Sequence, residues 1–265
     1  MASVSNKVVI ITGASSGIGE AAAHIFASEG ATLALAARRE EKLAHLANIL
    51  KEKYSVPVFF QPTDVSQLSS VKSFVDKTIE NLGRIDVLVN NAGVGCVGKI
   101  ADVDLDLAHQ VMETNFFGPL YFIQEVVPHF RKQQSGHVVN ISSVIGKRSV
   151  PRIGLYCASK FALQAATDAL RLELKKTGIR VSMVCPGLTA TEFPENQLRP
   201  DKVPPMRMKY KGQSSEHVAK QILKAVTSNK REIHLSTGGK FLVAMERISP
   251  SAVDRMLALQ DLLTK

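Results

Sequence analysis

Cysteine is scarce in this chain of 265 residues, and the three present, Cys96, Cys157 and Cys185, are odd in number and far apart. No CxxC pair occurs, which argues against a disulfide framework or a zinc knuckle and predicts a reducing compartment. No apolar run approaches the ~20 residues of a membrane span. The apolar run 8–11 is too short for the core of a signal peptide, so a soluble, cytoplasmic protein is expected. Internal repeats, low-complexity tracts and linkers are also missing. With 45% hydrophobic and 22% charged residues, the composition argues against wholesale disorder. The length suits one large α/β domain able to bury its core without metal or disulfide, and no metal site is expected.

The charge is unbalanced, with 33 Lys and Arg against 24 Asp and Glu, a net of +9. These basic residues are scattered apart from local density at 38–39, 147–148 and 199–211, and no nucleic-acid motif accompanies them. An anionic cofactor or substrate is therefore the expected partner, not nucleic acid.

Short β-branched runs alternate with longer amphipathic stretches. Strands are predicted at 7–12, 32–37, 56–61, 85–90, 136–142, 180–185 and 232–235, each apolar along most of its length, as strands buried on both faces are. Helices are predicted at 17–29, 40–53, 68–81, 107–132, 155–176 and 215–228. The alternation implies a single doubly wound (Rossmann) α/β domain, a mostly parallel seven-stranded sheet with helices on both faces. Ligands of such a fold bind beyond the carboxyl ends of the strands.

The chemistry-bearing motifs fall at those ends. The first strand runs into Thr12-Gly13-Ala14-Ser15-Ser16-Gly17-Ile18-Gly19 and then a helix. Glycines permit a tight turn and close backbone approach, and the helix N-terminus presents N–H groups to a pyrophosphate. The second strand ends in Ala36-Ala37-Arg38-Arg39 with no carboxylate for a ribose 2′-hydroxyl. Guanidinium forks suit a 2′-phosphate instead, which favours NADP(H). Ser15 does not supply a second cation. Asp64-Val65 ends the third strand, where Asp64 could meet an adenine or cap the helix that follows. Asn90-Asn91-Ala92-Gly93 follows the fourth strand, its small residues leaving room for a ribose. Ser142 and Ser143 close the fifth, and Tyr156 and Lys160 share one helix face at i, i+4. A nearby ammonium lowers the pKa of a tyrosine, whose phenol otherwise titrates near 10.

In this order, Thr-Gly-x3-Gly-x-Gly at 12–19, Asn-Asn-Ala-Gly at 90–93, Asn115, Ser143, Tyr156 with Lys160, and Pro186-Gly187 with Thr191 resemble the short-chain dehydrogenase/reductase family. The resemblance covers residues 7–191 and continues loosely to 235. It implies an oxidoreductase moving a hydride between a nicotinamide and a carbonyl or secondary alcohol, on the cofactor's B face. Tyr156 would exchange a proton with the substrate oxygen, Lys160 would lower the Tyr156 pKa and hold the nicotinamide ribose, and Ser143 would polarise the carbonyl. Asn115 would bind a water leading to solvent. Residues 186–191 would cover the nicotinamide, with Thr189 and Thr191 near its carboxamide or the pyrophosphate. The Ser143–Tyr156 interval selects Ser143 over Ser142. Pro119, four residues after Asn115, cannot donate to the Asn115 carbonyl and could open it to that water.

The family's substrate lid falls at 188–212, a basic stretch with several prolines that also holds Phe193, Met206, Met208 and Tyr210. Gly95, Cys96, Val144, Ile145, Arg148, Val150 and Ile153 are expected to shape a mostly apolar substrate pocket, and Cys157 to pack away from it. Residues 240–265 form an apolar extension, with a helix opening at Ser249-Pro250, that packs on the domain, on a second subunit or on a membrane surface. The resemblance implies a homodimer or homotetramer. A 3-oxoacyl carrier reductase is one version of this reading, and a non-catalytic NADP-binding regulator is the competing one.

Overall fold

The computed structural model describes residues 3–200, 212–228 and 230–263. In chain order it contains β1 (Val8–Thr12), α1 (Gly17–Ser28), β2 (Thr32–Ala37), α2 (Glu40–Tyr54), β3 (Val58–Pro62), α3 (Leu68–Leu82), β4 (Val87–Asn90), α4 (Leu105–Met112), a π turn (Glu113–Phe117) and α5 (Gly118–Gln133). There follow β5 (Gly136–Ile141), α6 (Gly154–Glu173), β6 (Ile179–Cys185), β7 (Thr189–Ala190), β8 (Gln213–Ser214), α7 (Ser215–Ser228), β9 (Glu232–His234), α8 (Thr237–Ile248) and α9 (Pro250–Leu263). Seven strands form one wholly parallel sheet in the order β3-β2-β1-β4-β5-β6-β9, the doubly wound order with its switch point between β1 and β4.

The pleat divides the core in two. Val9 and Ile11 of β1 face one side with Leu33, Leu35, Val87 and Val89, where Phe26, Leu43 and Ile222 of α1, α2 and α7 pack. Ile10, Ala34, Leu88 and Val138 face the other, against Phe74, Phe122 and Phe130 of α3 and α5. Both faces are covered, so the strands read as continuous apolar runs.

The seven predicted strands occur within two residues of their expected ends. The predicted helix 107–132 is interrupted by the π turn, where the Gly118 N–H donates to the Glu113 carbonyl five residues back. Pro119 cannot supply an N–H to Asn115, so the helical register changes there. A helix over residues 237–248 was not predicted, because Gly238-Gly239 at its start discourages one. Ser236 caps it by accepting from the Gly239 N–H at 3.0 Å. The stretch 188–200 is held at its base by β7, paired in parallel with β8. Pro204, Pro205, Met206, Met208 and Tyr210, with the basic Lys202, Arg207, Lys209 and Lys211, lie outside the described residues. Among the described residues no helix is long and apolar enough to cross a membrane.

One buried polar pair under the sheet has a consequence for stability. Ser182 donates its hydroxyl to the Lys230 carbonyl at 2.6 Å, so its oxygen accepts from His137 Nε2–H at 2.8 Å. This fixes the neutral tautomer with Nδ1 bare, and Nδ1 has no partner. Burial, aided by the Arg180 charge, holds the His137 pKa down to about 3. The unfolded chain takes up this proton near pH 6.5. His137 therefore contributes no penalty above that pH and an increasing one as pH falls towards 3. Between pH 7 and 4.5, urea unfolding should show the wild type losing about 2–3 kcal/mol more than His137→Gln. Equal losses would show that the imidazole is not the acid-sensitive group.

Candidate active site

The β1–α1 turn is pressed onto the crest of the sheet. Gly13 and Gly17 have φ of 65° and 59°, and a Cβ at Gly13 would lie 2.8 Å from the Ala92 Cα. One at Gly17 would lie 3.0 Å from the Thr191 methyl, and one at Gly19 2.2 Å from the Gly13 carbonyl oxygen. The turn is thus a cradle that side chains cannot enter, with the N–H groups of α1 facing it. Thr12 lies beneath, its Oγ1 accepting from the Asn91 and Ala92 N–H groups at 2.9 Å each. Asn91 returns a bond from Nδ2 to the Thr12 carbonyl at 2.9 Å.

Arg39 lies across the turn. Its guanidinium donates to Ser16 Oγ at 2.7 Å, to Ser15 Oγ at 3.1 Å and to Glu192 at 3.1 Å. Lys42 holds the other Glu192 oxygen at 3.2 Å, and these two cations keep the Glu192 carboxyl below the usual range. Arg38 is exposed on the rim of the same cleft. Asp64 accepts from the N–H and hydroxyl of Ser66, at 3.0 and 2.7 Å, and closes a turn before α3, whose N-cap is Gln67. Asp64 and Val65 also line the cleft.

At the other end, α6 carries Tyr156 and Lys160 under the tip of β5. Ser143 and Tyr156 face the same cleft, and the Lys160 ammonium is 5.8 Å from the centre of the Tyr156 ring. Lys160 Nζ donates to the Ile141 carbonyl at 2.9 Å. Burial lowers the Lys160 pKa to about 8. Burial raises the Tyr156 phenol well above its ordinary value, and the nearby Ser143 hydroxyl opposes that rise. Phe193 packs edge-on against the Tyr156 ring at 5.6 Å. The Pro186 carbonyl accepts from Val144 N and Ser143 Oγ, at 3.0 and 3.4 Å, and Thr189 Oγ1 donates to the Gly187 carbonyl at 3.1 Å.

One cleft of about 1800 Å³ joins the two ends. Of the residues expected at the site, Gly13, Ser15, Ser16, Gly17, Ile18, Arg38, Arg39, Asp64, Val65, Asn91, Ala92, Gly93, Ser143, Tyr156, Lys160, Pro186, Gly187, Thr189 and Thr191 line it. Thr12, Gly19 and Asn115 do not. They are buried behind its wall, Asn115 bonded to both backbone groups of Val94 and to Ser159. Gly95, Cys96, Val144, Ile145, Val150 and Ile153 line the cleft as expected, and Cys157 is fully buried. Arg148 does not line it: its guanidinium is drawn away by Glu246 and Asp254. The sequence reading missed Lys42 and Glu192, and it gave the cleft no residue of α8 or α9. Under Pro186, Cys185, Glu232 and His234 come together, a grouping not expected from the sequence. The Lys147 ammonium, 2.8 Å from Glu232, already balances that charge. Although burial opposes ionisation there, bonds from His234 and Lys147 hold Glu232 down to about 2.

The family model for short chain dehydrogenase matches residues 7–202. The chain belongs to that family. The chain is 37% identical to dehydrogenase/reductase SDR family member 7B of Danio rerio over 264 residues, covering 96% of this chain and 85% of that protein. It superposes with a TM-score of 0.86 and 27% identity on a short-chain dehydrogenase/reductase from Burkholderia phymatum in complex with NAD, covering 95% and 96% of the two chains. An alcohol dehydrogenase from Thermococcus sibiricus complexed with 5-hydroxy-NADP gives 0.77 and 30% identity, covering 86% and 94%. The chain is therefore an oxidoreductase of alcohol and carbonyl groups that uses a nicotinamide dinucleotide. The cradle closed to any Cβ, with a cation laid across it, fits such a cofactor.

The glycine turn offers a direct check. At Gly13 the positive φ and the backbone contact with Ala92 act together, and neither can yield. Gly13→Ala should cost about 1–3 kcal/mol in thermal unfolding. It should also weaken dinucleotide binding at least tenfold, read by titration. Unchanged binding would place the dinucleotide elsewhere.

Proposed function

We propose that the protein is an NADP(H)-dependent reductase of apolar ketones, or dehydrogenase of the matching alcohols, with Tyr156 as the proton donor and acceptor. The observation that carries this is Ser143 and Tyr156 lining one cleft with the Lys160 ammonium 5.8 Å from the Tyr156 ring, where the glycine cradle meets an apolar chamber. NADP(H) would supply or accept the hydride when bound. Its phosphates would rest on the 13–19 turn, with Arg38 and Arg39 at the 2′-phosphate and Asp64 and Val65 beside the adenine. Ser143 would donate to the substrate oxygen and Tyr156 would exchange the proton with it. Burial keeps the Tyr156 phenol protonated, the form that reduction needs. Oxidation needs the phenolate, which the Lys160 charge would stabilise. Asn115 would act from behind, bracing Val94 and Ser159. For the oligomeric state, the exposed Phe117, Phe161 and Leu172 on the α5–α6 side support a homodimer or homotetramer.

The Arg39–Lys42 pair, already holding the Glu192 carboxylate, supports the phosphate reading. Two variants test the proposal against a panel of ketones with NADPH and NADH. Tyr156→Phe should lower kcat by about 10²–10⁴-fold while NADPH still binds. Retained turnover would remove Tyr156 from the chemistry. Arg39→Ala should narrow the preference for NADPH over NADH by about 10–100-fold, the worth of a charge-assisted hydrogen bond. A wild type that prefers NADH would overturn the 2′-phosphate assignment.

A further inference from the structure

The far end of the cleft, beyond Tyr156, is built by the C-terminal helix pair. Leu242 and Met245 of α8 and Val253, Met256 and Leu257 of α9 line it, and Phe241 stands at its rim. Val253 and Leu257, one turn apart on α9, are only 2% and 8% exposed. Among the described residues, neither helix turns a charged group into the cleft. The N-terminus of α8 is pressed against the segment that follows Ser143, since a Cβ at Gly239 would lie 2.6 Å from the Val144 methyl. Two residues after that segment, Arg148 bonds Glu246 of α8 at 3.2 Å and also Asp254 of α9. One guanidinium thereby ties both helices to the loop that carries the site. A ligand pocket ordinarily measures about 300–1,000 Å³. At about 1800 Å³ this cleft has room for a dinucleotide and a second, large molecule.

We propose that α8–α9 is the wall that sets the size of substrate accepted, that Arg148 is the residue that positions this wall, and that the substrate is an extended or multi-ring hydrocarbon bearing its ketone or alcohol at one end. The proposal rests on the dehydrogenase reading for the reacting end only. The remote end follows from the lining: hydrocarbon and thioether side chains offer no hydrogen bond, so polar atoms buried there would go unpaired.

The test is a homologous series of straight-chain 2-alkanols, from 4 to 12 carbons, titrated into the full-length protein with and without NADP+. Wild-type affinity should climb about three- to fourfold per methylene until the chamber is full. Leu257→Trp should stop the climb several carbons earlier, and Met245→Trp serves as the second filling variant should the first not fold. Arg148→Met should raise KM for the 12-carbon ketone at least tenfold relative to the 4-carbon ketone, with a smaller change in kcat. A merely structural Arg148 would lower both substrates alike. A flat series, or an unchanged cut-off in the Trp variants, overturns the proposal. If the series climbs but no ketone is reduced, the wall stands and the dehydrogenase reading of the reacting end fails. If short ketones are reduced while the series is flat, the reverse holds.

Discussion

The site depends on how closely the glycine turn is held to the end of β4. Thr12 Oγ1 accepts from two successive N–H groups of the β4–α4 connection, and Asn91 returns its amide to the Thr12 carbonyl. Thr12 is buried and Asn91 and Ala92 are half-buried, and in such places a net hydrogen bond contributes about 1 kcal/mol but an unmade one costs more. This lock leaves no room for a Cβ at Gly13 and sets the depth of the cleft floor between β1 and β4. It also places Gly93 beneath the Tyr156–Lys160 end, since a Cβ there would lie 3.5 Å from Lys160 Nζ. The glycine turn and the Tyr156–Lys160 pair are therefore parts of one packed crest.

Lys160 shows what that crest costs and how the cost is contained. An ammonium group with 4% exposure is driven towards neutrality, and among the described residues only the Ile141 carbonyl receives its proton directly. Behind it runs a chain of polar bonds, left open at Asn90 Oδ1 and Ser142 Oγ, which have no hydrogen-bond partner among the described residues. Asn90 donates to Asn140, Asn140 donates to Thr167, and Asn115 is bonded on both sides of its amide. Polar groups bonded in this way resist rearrangement, because a shift strands a further donor or acceptor. A buried cation that is poorly solvated responds strongly to a neighbouring negative charge, which is the property that the role proposed for Lys160 asks of it.

Much of this was legible in the sequence because it is local. β-branched runs bounded by turn residues gave strands, and a glycine turn between a strand and a helix gave the cradle. The i, i+4 pair of Tyr156 and Lys160 gave one helix face. Other features depend on three-dimensional neighbours. Thr12, Gly19 and Asn115 belong to the right motifs, yet they face inward and brace the cleft without lining it. Glu192 is 153 residues from Arg39, and nothing in either stretch announces their pairing. Arg148 read as a pocket residue because of its place in the chain, but two carboxylates about 100 positions away reclaim it. The apolar pattern of 240–263 gave a face to be covered. Its period could not say that Val253 and Leu257 would turn onto the protein's own cleft while Ile248 and Leu259 stay exposed.

The two ends of the cleft differ in what substitution they permit. At the cradle, the atoms that meet an added Cβ are backbone or tightly packed, as with Ala92 Cα at Gly13 and the Gly13 carbonyl at Gly19. Backbone cannot move without breaking the lock, so the identity of these residues is fixed by geometry. At the α8–α9 wall, the contacts are between flexible apolar side chains, and volume can be exchanged among Leu242, Met245, Val253 and Leu257 at modest cost. A short tether at Arg148 holds that wall in register with Ser143 without contributing to the chemistry. Substrate size can therefore change by repacking the wall while the cradle and the Ser143–Tyr156–Lys160 group remain as they are. The converse change, a different chemistry behind the same wall, would require remaking a buried polar layer in which few groups are free to move.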